Sequence, residues 1–165
     1  MDGAACVQRA YHYILQNDFE SAIAWFERAI ALEPSNADFY YLCSISCTRS
    51  RKWQKAKDYA STALKLEPHN EKYHYQLKVS EANLLYEQAK GYIGQKPPAL
   101  KQAAILLEKA VISDALHFEV RYTLSLVYNE LGQWELAYLH ASEALKLSPD
   151  HRTLQRLIVD LKQKL

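Results

Sequence analysis

Three stretches of this 165-residue chain repeat one pattern of apolar, small and polar positions. Aligning WQKAKDYASTALKLEPHN (residues 53–70) with WELAYLHASEALKLSPDH (134–151) brings Trp, Ala, Ala-Ser, Ala-Leu-Lys-Leu and Pro into register. FESAIAWFERAIALEPSN (19–36) fits the same frame through Phe19, Ala22, Ala29, Leu32 and Pro34. Pro34 and Pro68 stand 34 residues apart, which predicts a supersecondary unit repeated at that period. The chain ends in RTLQRLIVDLKQKL (152–165), which sets Leu154, Leu157, Ile158, Leu161 and Leu165 along one helical face and Arg152, Gln155, Arg156, Lys162 and Gln163 elsewhere. Four Gly and five Pro are few, so long irregular segments are not expected and helix is the predicted element throughout.

Small residues recur where the two helices of a unit would cross: Ala10 with Ala22 and Ala29, Ser44 with Ala56 and Ala63, Ser125 with Ala137 and Ala144. Aromatic wedges recur as Tyr13, Phe19 and Phe26, then Trp53, then Tyr128 and Trp134. Pro34, Pro68 or Pro149 closes each unit, because proline cannot continue a helical hydrogen-bond ladder. On these residues the chain resembles the tetratricopeptide-repeat family over nearly its whole length. The resemblance implies an all-α fold, a right-handed superhelical solenoid of four helix-turn-helix hairpins with a C-terminal capping helix. The repeats fall at 3–36, 37–70, 71–117 and 118–151, with 152–165 as the cap, in a single domain 1–165. A terminal helix with one apolar and one polar face suits the exposed end of such a stack. Arg9, where the family has leucine, and Cys43 and Cys47, where it has leucine and an aromatic residue, depart from the pattern.

Repeat three is irregular. Counting back from Ala110, the counterpart of Ala63 and Ala144, leaves an insertion of about 13 residues relative to the 34-residue period. Helix formers fill 78–90, so the first helix of this repeat is expected to run on to near Ile93 before Gly94 and Pro97-Pro98 break it. Tyr86, Tyr92 and the segment Gly94–Ala99 on this insertion are candidates for a secondary partner contact.

In the family the first helix of each hairpin lines the concave groove. Carried over by register, the groove side chains are Val7, Tyr11, Ile14 and Leu15; Tyr41, Leu42, Ile45 and Arg49; Tyr75, Gln76, Val79 and Asn83; and Tyr122, Thr123, Leu126 and Asn129. Tyr41, Tyr75 and Tyr122 occupy equivalent places, and Tyr11, Ile45, Val79 and Leu126 form a mostly aliphatic row beside them. Such a strip offers large contact area at low side-chain entropy cost and suits an apolar or amphipathic peptide, with Asn83 and Asn129 available to its main chain. Co-chaperone domains of this family that grip acidic tails use Lys, Asn and Arg where this chain has Val7, Tyr11, Leu42, Lys72 and Gln76; only Lys72 agrees, so a carboxylate clamp is not expected.

Composition narrows the chemistry. Lys and Arg number 20 against 19 acidic residues, for a net charge of +1, with no basic track to recruit nucleic acid or anionic lipid. No stretch approaches the length of a membrane span and no leader pattern opens the chain, so a cytoplasmic protein is expected. Cys6, Cys43 and Cys47 lack disulfide-framework spacing, and Cys43 with Cys47 has no second pair with which to hold a metal. The six His are scattered, four of them near expected helix ends or junctions, and no phosphate loop, HExxH pair or nucleophile elbow occurs. The expectation is therefore no enzyme, no cofactor and no metal. What remains is a protein-interaction adaptor, scaffold or chaperone-like module, a complete and monomeric chain. The alternative is a homodimer formed through the long helix of repeat three or through the C-terminal helix.

Overall fold

The turn inside a hairpin must reverse the chain within a few residues, and in three of the four hairpins one residue in left-handed conformation does it. Asn17 (φ 59°), Arg51 (φ 56°) and Gly132 (φ 71°) are the three residues of positive φ. The following amide reaches back to close the helix in each case: Asp18 N–H donates to the Tyr13 carbonyl at 3.0 Å, Lys52 to Cys47 at 2.9 Å and Gln133 to Tyr128 at 2.9 Å. This geometry satisfies carbonyls that the helix end would otherwise leave unpaired.

The computed structural model describes residues 1–165, and the helices those turns separate are α1 (Gly3–Leu15), α2 (Phe19–Leu32), α3 (Ala37–Arg49), α4 (Trp53–Leu66), α5 (Glu71–Ile93), α6 (Leu100–Ser113), α7 (Phe118–Glu130), α8 (Trp134–Leu147) and α9 (Arg152–Lys164). There is no strand. The third hairpin has the extended first helix: α5 is 23 residues long, and a loop held by the Ala99 N–H on the Tyr92 carbonyl (3.0 Å) replaces the tight turn. Second helices end before Pro34, Pro68 and Pro149, and the preceding Glu33, Glu67 and Ser148 have left the helical conformation (ψ 72°, 83° and 79°), which a following proline disfavours. Asp2, Asp18, His117 and His151 cap helix N-termini through their side chains.

The chain divides into two units, Met1–Leu84 and Leu85–Leu165, with α5 shared between them. In the first unit Ala10, Ala22, Ala29, Ser44, Ala56 and Ala63 have no exposed surface, and Phe26, Cys43 and Cys47 pack among them. The backbones approach closely enough for the Ser44 hydroxyl to donate to the Ala56 carbonyl at 2.8 Å. The cysteines thus serve as small core residues. Burial and a hydrogen bond to Cys47 push the Cys43 thiol far up from its ordinary pKa, the bond being the larger cause. Arg9, at the leucine position, lays its guanidinium over the Trp25 ring at 5.0 Å, and Arg28 lies over the same ring at 4.7 Å.

Consecutive second helices are joined by a recurring bridge. Glu27 of α2 accepts from the Tyr59 hydroxyl (2.8 Å) and the Lys55 ammonium (3.0 Å) of α4. In the second unit Glu108 of α6 stands at the place equivalent to Glu27 and accepts from His140 Nε2 of α8 (3.1 Å) and from the Tyr128 hydroxyl (2.7 Å). His140 is buried, contrary to the exposed or helix-end placement expected of most histidines here, and its Nδ1 has no partner. Leu107, Val120, Leu124, Leu154 and Leu161 fill the core of this unit, and α9 buries Leu154, Ile158 and Leu161 as it packs along α8.

Arg51 carries a side chain in a conformation that favours glycine. Arg51→Gly is expected to raise stability by about 1 kcal/mol in urea unfolding. Burial lowers the His140 pKa against the opposing pull of Glu108, with Arg121 adding to the lowering. Its unfolded form therefore takes up a proton first as pH falls. The contribution of His140 is fully present above its unfolded pKa of about 6.5 and is lost progressively below it. Unfolding curves at pH 8 and pH 5.5 should show this loss in the native chain and a smaller one in His140→Phe.

Candidate functional site

Neighbouring residues on a helix point about 100° apart, so two tyrosines separated by one position meet different surroundings. On α5, Tyr73, Gln76 and Ser80 turn toward α3, whereas Tyr75 faces solvent and is 64% exposed. Tyr73 is buried, donates to Asp38 at 2.6 Å and packs against the ring of Tyr41 with centroids 5.2 Å apart. Burial, together with that carboxylate, pushes its phenol well above the usual tyrosine range. The Lys72 ammonium lies over both rings, 5.4 Å from Tyr41 and 5.9 Å from Tyr73. The half-buried Tyr41 with the Lys72 ammonium over its ring thus forms an aromatic, positively edged surface in the first unit, and Tyr75 adds a separate exposed ring on α5.

Gln76 was expected in the groove, and the structure corrects this. It is buried and donates to Ser44 Oγ at 3.0 Å and to Thr48 Oγ1 at 3.2 Å, while Ser80 Oγ donates to the Gln76 carbonyl at 2.8 Å. The network satisfies the polar atoms that α3 and α5 bury against each other, as low-dielectric packing demands. Leu42, Val7 and Ile14 are half-buried against the core of the first unit rather than open to a ligand. Tyr11 is 46% exposed with its ring edge-on to Phe26, and Leu15 is wholly on the surface. Ile45 and Val79 are half-buried, and Asn83 donates to the Val79 carbonyl at 2.9 Å. Arg49 is exposed and lies over the Phe19 ring at 5.9 Å.

The second unit has its own aromatic group. Tyr122 stacks on Phe118 (5.8 Å) and meets the ring of the α9 cap residue His151 at 5.0 Å. Leu126, one turn on, is exposed, while Asn129 accepts from Lys164 at 3.0 Å. Tyr86 is engaged within its own unit: its hydroxyl is 3.3 Å from Thr123 Oγ1, its ring packs on His117 and Lys90 lies over it. Tyr92 remains on the surface. Phe118 and His151, and the buried Tyr73 beneath Tyr41, shape these surfaces but were not among the expected residues; their aromatic type was the only signal, since their placement depends on partners from other helices. No group of three His, Cys, Asp or Glu side chains converges as for a metal, and no helix is long and apolar enough to cross a membrane.

The fold and these helix faces define a helical-repeat protein. Its residues 10–43 match the family model for the tetratricopeptide repeat, spanning the end of α1, all of α2 and the start of α3. Solved structures extend the likeness to the whole chain. MamA residues 41 to the end from Desulfovibrio magneticus RS-1 superpose with a TM-score of 0.56 at 17% identity, covering 98% of this chain and 94% of that one. Another MamA structure gives 0.58 at 14% identity, with 98% and 81% covered. YrrB, described as a tetratricopeptide-repeat protein with an unusual peptide-binding site, gives 0.51 at 19% identity, with 98% and 92% covered. At such identities the likeness is one of fold. No curated protein matches the chain in sequence.

The two tyrosines of α5 should separate in mutagenesis. Tyr73→Phe removes a hydrogen bond to a carboxylate and should cost about 2 kcal/mol of stability. Tyr75→Ser, on the surface, should stay within about 0.5 kcal/mol of the native chain in the same urea titration.

Proposed function

We propose that the chain is an adaptor or chaperone-like module of the cytoplasm that binds an apolar or amphipathic peptide segment along the faces of its first helices, and that it works by binding rather than by catalysis. The observation that carries this reading is the surface of Tyr41, Lys72 and Tyr75. Tyr75 of α5 is 64% exposed, and the half-buried ring of Tyr41 on α3 lies under the Lys72 ammonium. Exposed aromatic area of this kind is costly to leave in water and gains both apolar burial and hydroxyl hydrogen bonds from a peptide. Tyr11 in the same unit, and Tyr122 with Leu126 in the second, extend the same chemistry.

The fold likeness to a protein described as having a peptide-binding site supports the class of function. Lys72 biases the expected ligand toward a segment that places an acidic or carbonyl group near the Tyr41 ring, while Val7, Tyr11, Leu42 and Gln76 at the places where a carboxylate clamp needs Lys, Asn and Arg argue against an acidic tail. Nucleic acid fits poorly, because base stacking needs an accompanying phosphate-neutralising track.

Burial of Leu154, Ile158 and Leu161 leaves Val159 and Leu165 as the exposed large apolar residues of the C-terminal segment, which favours peptide binding over self-association through α9. The test is capture of partners by the tagged chain, with bound proteins identified by mass spectrometry. Tyr41→Ala combined with Tyr75→Ala should abolish specific capture while leaving helical content intact. Undiminished capture would move the ligand away from this face, with Tyr92 and the loop after α5 the next surface to examine.

A further inference from the structure

The outward-facing residues of the second helices differ sharply between repeats. At the second, sixth and tenth positions of these helices, one above another on the solvent side, α2 carries Glu20, Ala24 and Arg28, and α4 carries Gln54, Asp58 and Thr62. In the second unit α6 carries Lys101, Ile105 and Lys109, and α8 carries Glu135, Leu139 and Glu143. Spacing of four residues places each trio along one helical ridge. Ile105 is 58% exposed and Leu139 51%, so each ridge has a bare aliphatic centre between two charges. Ile112, further along α6, is 82% exposed. Neither lysine has a carboxylate partner, and neither does Glu135; Glu143 is held by Lys146 of its own helix at 2.5 Å.

The two ridges are neighbours. The Glu108 to His140 hydrogen bond joins α6 to α8, and both helices connect to α7 through short loops, so both run opposite to α7 and parallel to each other. The solvent side of this unit is thus a pair of parallel stripes, one Lys-Ile-Lys and the other Glu-Leu-Glu. A two-fold axis lying along the stripes, midway between them, sets α6 of one copy on α8 of the other without changing direction. Lys101 then meets Glu135, Ile105 meets Leu139 and Lys109 meets Glu143, and every contact is made twice. The other in-plane axis would set lysine stripe on lysine stripe.

We propose that this face is an isologous homodimer interface, with a second copy of the chain as its occupant. An isologous surface must be self-complementary, and these two stripes are complementary in charge with an apolar residue at each centre. Charge complementarity selects a second copy over an unrelated acidic or basic partner, because a partner of single sign would match one stripe and repel the other. Two 14-residue helices side by side give a face about 20 Å by 20 Å, small for a permanent dimer, so the association is reversible and tuned by concentration and salt.

The inference is independent of the peptide-binding faces and is tested on the intact chain by light scattering and sedimentation equilibrium, from about 1 to 500 μM at low salt, the range of a weak interface. The native chain should move from its 19.0 kDa monomer mass toward twice that value and return toward monomer on adding salt. Lys101→Glu with Lys109→Glu makes both stripes acidic, and Glu135→Lys with Glu143→Lys makes both basic. Each double variant alone should stay monomeric, and an equimolar mixture of the two should recover the dimer mass, since every ionic contact is then restored. Ile105→Asp, which copies the Asp58 of α4, should also be monomeric. Circular dichroism checks that helicity is unchanged; should a double variant fail to fold, Ile105→Asp and the salt dependence decide. A native chain that stays at monomer mass over the whole range overturns the proposal, as do folded variants that dimerise as well as the native chain or a folded mixture that stays monomeric.

Discussion

Everything in this molecule depends on how closely the two helices of a hairpin approach. Ala10 with Ala22, Ser44 with Ala56 and Ser125 with Ala137 leave no exposed surface at the crossings. At the second crossing the fit is close enough for a side-chain hydroxyl to reach the opposing backbone carbonyl. Interiors packed at crystalline density leave no room for anything larger there. Large side chains are therefore displaced to the seams between hairpins or onto the outer faces. The tyrosine surfaces and the charged ridges are both consequences of that exclusion.

The fold was legible because its determinants are local. Small residues at fixed spacing, a proline after three of the four second helices and the run of helix formers through 78–90 specify hairpins, stops and the length of α5 without reference to distant partners. The candidate surfaces were legible only in part. Val7, Leu42 and Gln76 share the first-helix pattern with Tyr75 yet turn inward, because small rotations of one helix against the next decide which side chain is covered. Gln76 is settled by Ser44 and Thr48, which lie on another helix. The run of hydroxyl residues Ser44, Ser46 and Thr48, where apolar residues are the rule, was the one sequence signal that a polar partner had to be buried against α3. His140 shows the same limit, since Glu108 and Tyr128 fix its burial from two other helices.

Net charge concealed more than it revealed. A balance of +1 excludes a large single-sign field, but it says nothing about order within the surface. In the first unit, acids of α2 are satisfied by bases in or just before α4, as Glu27 is by Lys55 and Glu20 by Lys52. In the second unit the connecting role falls to Glu108 with the buried His140, and the surface ions at equivalent places are segregated by sign onto separate helices. The same scaffold position can thus serve internal cohesion in one repeat and outward recognition in another, with no change in backbone.

All three cysteines lie in the first unit, and all three are buried. A thiol reagent in solution can reach them only when that unit opens, whether by local fluctuation or by complete unfolding. The second unit has no thiol and is silent to such a reagent. The native chain therefore carries an intrinsic chemical clock for one half of itself, through which the opening rate of α1 and α3, the helices that hold the thiols, can be read without any introduced label.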